Sequence, residues 1–326
     1  MKKLLSLAMA FALAFCLAPL DVSAKTRLAF SGGPEGGTFQ YFSNGISTRL
    51  SKNIANVEVS NMASAGSVEN LRRVNSGDAD FGISYSGDMF LARNGKLPKD
   101  PKNYKDVQAI AYLYGAPAHL IVLDGSGINK VADLVGKKVG VGGAGSGAAA
   151  SAQRYFEKLG LWTKMEPTFI GYNEAVAAMG DKLLDAVWVF AGFPNSSVIQ
   201  AAASNKIKLL DTVGPGKAAG FFDEYPFYAE VTIPANTYSG VTTPTTTFQD
   251  SALWVAGSHL KADLVEDALA DIFSPQGLAY MIKVKKTAKE MSVDGALKGI
   301  VTPIHVGAEK FWSKKGLMVS PAQMAR

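Results

Sequence analysis

Ser31-Gly32-Gly33-Pro34-Glu35-Gly36-Gly37-Thr38 and Gly142-Gly143-Ala144-Gly145-Ser146-Gly147 are the two stretches whose reading decides the fold. Each follows an apolar run that reads as a buried strand, residues 26–30 before the first and 138–141 before the second. Each precedes a helical stretch. After the first loop, Phe39, Phe42, Ile46 and Leu50 recur near a helical period; after the second, residues 148–159 are helical and Gly160 stops them.

Further out, the order repeats. Residues 57–59 alternate as a strand does, Val68, Leu71 and Val74 form a helical stripe with Ser67 as its expected N-cap, Gly77 stops it, and residues 80–84 form a third strand. Beyond the second loop come a strand at 167–170, a short helix at 174–179 with Asn173 as its expected cap, a stop at Gly180-Asp181 and a strand at 185–190. Strand, glycine loop, helix, strand, helix and strand thus occur twice, which predicts an α/β chain with two equivalent lobes. Two long apolar runs, 109–123 (interrupted by Tyr114-Gly115-Ala116-Pro117) and 248–256, are expected to cross between them. Helices at 260–273 and 276–286 then return to the first lobe. The expected division is 25–118 and 258–326 for lobe one and 119–257 for lobe two.

Composition agrees with a large folded chain. Of 326 residues 48% are hydrophobic and 19% charged, which excludes wholesale disorder and allows about two domains at ~150 residues each. Lys2 and Lys3, the apolar run 4–20 and the small residues of Val22-Ser23-Ala24 read as a secretory signal peptide, residues 1–24, cleaved after Ala24. The run is shorter than the ~20 residues of a spanning helix. The expected product is an exported, periplasmic protein. Cleavage removes Lys2, Lys3, Asp21 and Cys16, the only cysteine, so the net charge falls from +5 to +4 and neither a disulfide nor a thiol nucleophile remains.

A glycine loop between strand and helix bares the helix's first N–H groups, and those donors with the helix dipole favour a negative group. Thr38 and Ser146 add hydroxyls beside the two loops, as ligand donors or as caps. Two such lobes face to face hold a small anion. Asp88 is placed to hold a ligand ammonium or to cap its own segment; Phe39, Tyr85 and Tyr114 wall a cleft or fill the core. Arg72 and Arg73 lie past the first helical turn and read as solvated.

Catalytic patterns are weak. Gly140-Val141-Gly142-Gly143-Ala144-Gly145 matches a dinucleotide fingerprint but lacks the acidic residue ~20 positions on, and neither loop carries the lysine of a phosphate-binding loop. The three histidines, 119, 259 and 305, lack metal-ligand spacing. The basic stretch 283–286 is too small for a nucleic-acid surface. No residue is assigned a catalytic role and no cofactor or metal is expected.

Several segments resemble one family, the TAXI-type solute-binding subunits of TRAP transporters. They are residues 31–39, 66–71 and 77–81, Leu134-Val135-Gly136-Lys137-Lys138-Val139, Gly145-Ser146-Gly147, Ala191-Gly192-Phe193-Pro194 and Ile233-Pro234-Ala235-Asn236-Thr237-Tyr238. The resemblance implies a two-lobed periplasmic binding protein of type II with two hinge crossings, a monomer. It implies a small organic anion as ligand, a dicarboxylate or an acidic amino acid such as glutamate, and a TRAP permease as membrane partner. It places ligand contacts at Gly37, Thr38, Phe39, Ser67, Asp88, Ser146, Gly147, Ala148 and Gly192, with Tyr85 and Tyr114 as walls. Two departures stand out. Ala148 replaces a threonine common in the family, and Pro34-Glu35 replaces small residues in the first loop, where Glu35 repels a carboxylate unless it points away or meets a ligand amine. The alternatives are a receptor for another solute feeding an ABC permease, and an exported enzyme on the same fold.

Overall fold

The computed structural model of the protein describes residues 25–98 and 100–324. The signal peptide read at 1–24, its cleavage after Ala24 and Cys16 lie outside the described residues. Among those described, no helix is long and apolar enough to cross a membrane.

The first unit runs β1 (Thr26–Ser31), α1 (Thr38–Asn53), β2 (Val57–Met62), α2 (Ser67–Ser76), β3 (Phe81–Tyr85) and α3 (Ser86–Arg93). β4 (Val107–Leu123) leads out of it. The second unit runs β5 (Lys138–Gly140), α4 (Gly147–Lys158), β6 (Glu166–Thr168), α5 (Tyr172–Gly180), β7 (Ala186–Phe190), α6 (Ser196–Ser204) and β8 (Ile207–Leu209). Two short helices, α7 (Val213–Ala218) and α8 (Phe221–Glu224), precede β9 (Ala229–Ile233) and β10 (Thr245–Gly257). α9 (Ala262–Ile272), α10 (Pro275–Val284) and α11 (Val306–Lys314) complete the chain.

The strands pair in the order β2-β1-β3-β10-β4-β7-β5-β6, with β8 on β4 and β9 on β10. β1 lies parallel between β2 and β3, and β5 lies parallel between β6 and β7. Each unit therefore has its first strand in the middle, which is the echo the sequence order predicts. The helices bury the expected stripes: Phe39, Phe42, Ile46 and Leu50 on α1, and Val68, Leu71 and Val74 on α2. Gly77 ends α2 at φ 81°, a left-handed conformation that glycine adopts without steric cost.

β4 and β10 tie the units together. β4 pairs with β10 from Val107 to Pro117 and with β7 from Ala118 to Val122. β10 pairs with β9 up to Gln249 and with β3 from Ala252. The interruption at residues 114–117 does not break β4. Pro117 has no N–H to place, its carbonyl accepts from Ala191 N–H at 3.2 Å, and Gly115 N–H is held by Glu290 Oε2 at 2.8 Å. Pairing with β10 runs unshifted through 114–117, and the register shifts come after it, leaving Leu113 and Ile110 as extra residues on β4. α9 and α10 pack against α1, where Arg49 pairs with Asp271 at 2.8 Å, and Trp312 of α11 donates to Ile110 O of β4 at 2.7 Å.

Two expected caps are corrected. Ser67 is the first residue of α2, not its N-cap; Gly66 caps, and the Ser67 hydroxyl is drawn instead to Asp88 Oδ2 at 2.6 Å. Asn173 lies inside α5, which Gly171 caps, and accepts from Ser197 Oγ at 2.7 Å.

Candidate functional site

Three helix starts meet at one point between the units. α1 begins at Gly37, which has extended backbone and no side chain to cap the helix. α2 begins at Gly66, whose φ of 117° and ψ of −145° belong to a region open essentially to glycine alone. α4 begins at Ser146, whose Oγ accepts from Ala149 N–H at 2.9 Å. Unused N–H groups and helix dipoles thus converge from both units, the arrangement that favours an anion.

They enclose a cavity of about 10 Å³, room for one water molecule at most. The first unit contributes Pro34, Gly37, Thr38, Phe39, Ala65, Gly66, Ser67 and Tyr85, and the second Ser146, Gly147, Ala148, Tyr172, Phe190 and Ala191. None of these carries a charged side chain. Glu35 is exposed and stands away from the cavity. A wider groove of about 510 Å³, lined by Val68, Arg72, Gln153 and Phe169 among others, runs along the same seam and shares Ser146 with the cavity.

Direct bonds draw the units together around it. Tyr85 OH donates to Phe190 O at 2.5 Å, Thr38 Oγ1 to Gly192 O at 3.4 Å, and Glu69 N–H to Gly145 O at 3.2 Å. Asn195 Nδ2 donates the other way, to Gly36 O at 3.4 Å. Tyr172 OH also donates to Phe190 O, at 3.0 Å. Burial raises the pKa of both tyrosines, so their hydroxyls stay protonated and serve as donors. Gly147 permits the close approach: a Cβ there would lie 2.5 Å from Tyr85 Cδ2 and 2.7 Å from Ser67 Cβ.

Of the residues singled out from the sequence, Gly37, Thr38, Phe39, Ser67, Tyr85, Ser146, Gly147 and Ala148 line this cavity. Phe39 does so while packing on Tyr85, ring centroids 4.9 Å apart. Three do not line it. Gly192 lies just behind, accepting from Thr38 and backed against the Tyr114 ring. Tyr114 forms a second row behind Phe39 and Phe42. Asp88 has both oxygens engaged, Oδ1 by Arg154 Nη2 at 2.8 Å and Oδ2 by Ser67, so here it holds protein groups instead of a ligand ammonium. Arg72 and Arg73, read from the sequence as solvated, form partly exposed ion pairs with Asp100 and Glu69.

The sequence reading missed Tyr172, Phe190, Ala191 and Arg154. The rule that ligands lie beyond the carboxyl ends of the strands marks the end of β7, and hence Phe190 and Ala191. Arg154 carried a quieter signal, a cation flanked by Ala152, Tyr155 and Phe156 on a helix whose other buried residues are small or apolar. The histidines are occupied structurally. His119, whose burial lowers its pKa to about 4, bonds Pro117 O and Tyr238 OH; His259 bonds Asp80; His305 caps α11. Among the described residues no cluster of metal-type ligands occurs.

Two α/β units of like topology, joined by two long strands and closed on a shared cavity, define the two-lobed fold of the periplasmic solute-binding proteins. Residues 30–316 match the NMT1-like family, and the chain belongs to it. Two solved structures share the fold at low identity, and a third is more loosely similar. MatC from Rhodopseudomonas palustris with bound malate is 14% identical with a TM-score of 0.54, over 89% of this chain and 97% of that one. A protein from Bordetella bronchiseptica RB50 is 14% identical with a TM-score of 0.50, over 90% and 99%. The periplasmic aliphatic sulphonate binding protein SsuA from Escherichia coli is 18% identical with a TM-score of 0.44, over 81% and 79%.

Proposed function

We propose that this protein is an exported solute receptor, without catalytic activity of its own. It captures a small organic anion, a dicarboxylate or an acidic amino acid such as glutamate, between its lobes and delivers it to a TRAP permease of the TAXI type. The observation that carries the reading is the meeting of three helix starts from two lobes at a cavity with no charged side chain. An anion there is neutralised by backbone N–H groups and hydroxyls, which a carboxylate accepts from readily. Thr38 already donates to a carbonyl oxygen of the opposite lobe, and a ligand carboxylate takes the place of that carbonyl as the lobes part and reclose around it, while Tyr85 ties the seam to Phe190 O. The moving bodies are residues 25–118 with 258–326 on one side and 119–257 on the other, hinged on β4 and β10.

The test has two steps. Native mass spectrometry of the purified protein identifies any anion it carries. A thermal-shift screen of glutamate, malate, succinate and related acids then ranks them, since a ligand present at ~100 times its dissociation constant adds ~2.7 kcal/mol to stability. Stabilisation by one or more carboxylates is expected. Stabilisation only by neutral or cationic solutes overturns the anion assignment, and turnover of a bound acid overturns the receptor assignment. Co-purification with a TRAP membrane subunit encoded beside the gene tests the partner.

A further inference from the structure

A second buried polar cluster lies beside the cavity, where no ligand contact is needed to explain it. Asp88 of α3, Arg154 of α4 and Asp250 of β10 are all buried, at 0%, 5% and 1% exposure. They come from three places: Asp88 from the first unit, Arg154 from the second, and Asp250 from a crossing strand, opposite Ala116 of the other crossing strand. Arg154 pairs with Asp88 at 2.8 Å and donates from Nε and Nη2 to Tyr228 OH at 3.0 and 2.7 Å. Its Nη1 has no partner. Asp250 therefore receives no hydrogen bond from the arginine. It receives only backbone N–H groups, Gly87 at 3.1 Å and Ser251 at 2.7 Å. Phe227 lies against Gly87, so that second-unit residues cover the spot.

The charge count does not balance. One cation faces two carboxylates, and the cation is bonded to only one of them. A buried carboxylate left over in this way is costly to keep ionised, and a single proton restores neutrality. We propose that closing the two lobes is linked to the uptake of one proton by Asp250. Opening separates Arg154 from Asp88, admits water to the cluster and lets Asp250 release the proton.

The electrostatics support this direction. Burial, and after it the charge of Asp88, push the Asp250 carboxyl up to about 8, against the opposing pull of Arg154 and the backbone N–H groups of Ser251 and Gly87. The titratable groups facing it are Asp88 on α3, Arg154 on α4, Tyr228 before β9 and Tyr85 at the end of β3. In water an aspartate titrates near ~3.9. An acid whose pKa is higher in the closed form favours closure at low pH. The preference is complete below the open-state value, is lost as pH rises through the interval up to about 8, and changes no further above it. Within the interval the closing constant falls by up to ~10-fold per pH unit.

The experiment requires no ligand and so stands apart from the identity of the bound anion. The only cysteine is at position 16, so Lys52→Cys on α1 and Gln200→Cys on α6 take a spin-label pair at exposed sites across the lobes. Distances are measured by double electron–electron resonance from pH 5 to 8.5. The closed population is expected to shrink steeply with rising pH. Asp250→Asn, which imitates the protonated acid, is expected to stay closed and lose that dependence. Asp88→Asn leaves Arg154 and Asp250 as a balanced pair and is expected to move the transition to lower pH, which keeps the test usable if Asp250→Asn does not fold. Distances that do not change with pH in the unsubstituted background overturn the proposal, as does an Asp250→Asn protein with the full pH response.

Discussion

The helix that leaves the first glycine loop begins at Gly37 with no side chain capping it, whereas the helix that leaves the second begins at Ser146, whose oxygen already holds Ala149 N–H. The contrast extends across the seam. Tyr85 and Thr38 of the first lobe donate to Phe190 O and Gly192 O of the second beside the cavity, while Asn195, Ser196 and, behind the cavity, Arg154 donate in reverse. So at the cavity wall the first lobe holds the hydroxyl donors, Tyr85 and Thr38, while the second supplies their acceptors and, at Gly147, the clearance for them to meet. Two loops of like sequence and like topology thus divide the work. An anion is gripped chiefly by the first lobe, and the second fits down over it.

The largest effect is expected from the clearance. Gly147→Val places a Cβ 2.5 Å from Tyr85 and adds two methyl groups at the point of closest approach. Overpacking costs about 1–3 kcal/mol, and the 2.5 Å approach puts this case at the upper end, so calorimetry should find carboxylate affinity reduced ~100-fold. Gly147 meets Tyr85 and Ser67 without ligand as well, so the melting temperature should also fall, and the loss of affinity is read beyond that change. Unchanged affinity would mean that the lobes do not need to meet here.

Thr38→Ala comes next and tests the gripping side of the contrast. Losing a hydroxyl that donates to a charged group costs about 2 kcal/mol of binding. The hydroxyl's present bond to Gly192 O is long, 3.4 Å, so stability without ligand should barely move. Ser146→Ala should show the opposite balance. It removes a helix cap, worth about 1 kcal/mol of stability, and changes affinity less than Thr38→Ala does. Equal losses of affinity in the two variants would erase the distinction between the lobes.

Much of this was legible in the residues, because the features that build the fold are local. Glycine loops, helical stripes and stops each leave a mark within ten or so residues, and both units were readable from them. Eight of the eleven singled-out positions line the cavity for the same reason: they sit at loop–helix junctions, where topology alone places them. What escaped depends on contacts distant in sequence. Asp88 looked like a ligand group until Arg154, 66 residues away, took one oxygen and Ser67, 21 residues away, took the other. Ser67 looked like a cap for want of any sign of that acid. The path of β4 through Pro117 depends on Glu290, far down the chain, holding Gly115 N–H.

Tyr85→Phe is the smallest change and the finest probe of the division between lobes. The hydroxyl makes the shortest hydrogen bond across the seam among the described residues, 2.5 Å to Phe190 O, and losing it removes a tie between the lobes. That carbonyl keeps a second donor, however, in Tyr172 OH at 3.0 Å within its own lobe. No acceptor is stranded, so the desolvation penalty that normally follows loss of a buried partner does not arise, and the cost is the net worth of one hydrogen bond, about 0.5–1.5 kcal/mol. The ring contacts to Phe39 and Phe190, with centroids 4.9 Å away in each case, are retained by phenylalanine. A Tyr85→Phe/Tyr172→Phe pair strands the carbonyl and should lose more than the sum of the single changes, measured by calorimetry with the best carboxylate. A strictly additive pair would show that the two hydroxyls serve the ligand separately and do not share Phe190 O in the bound form.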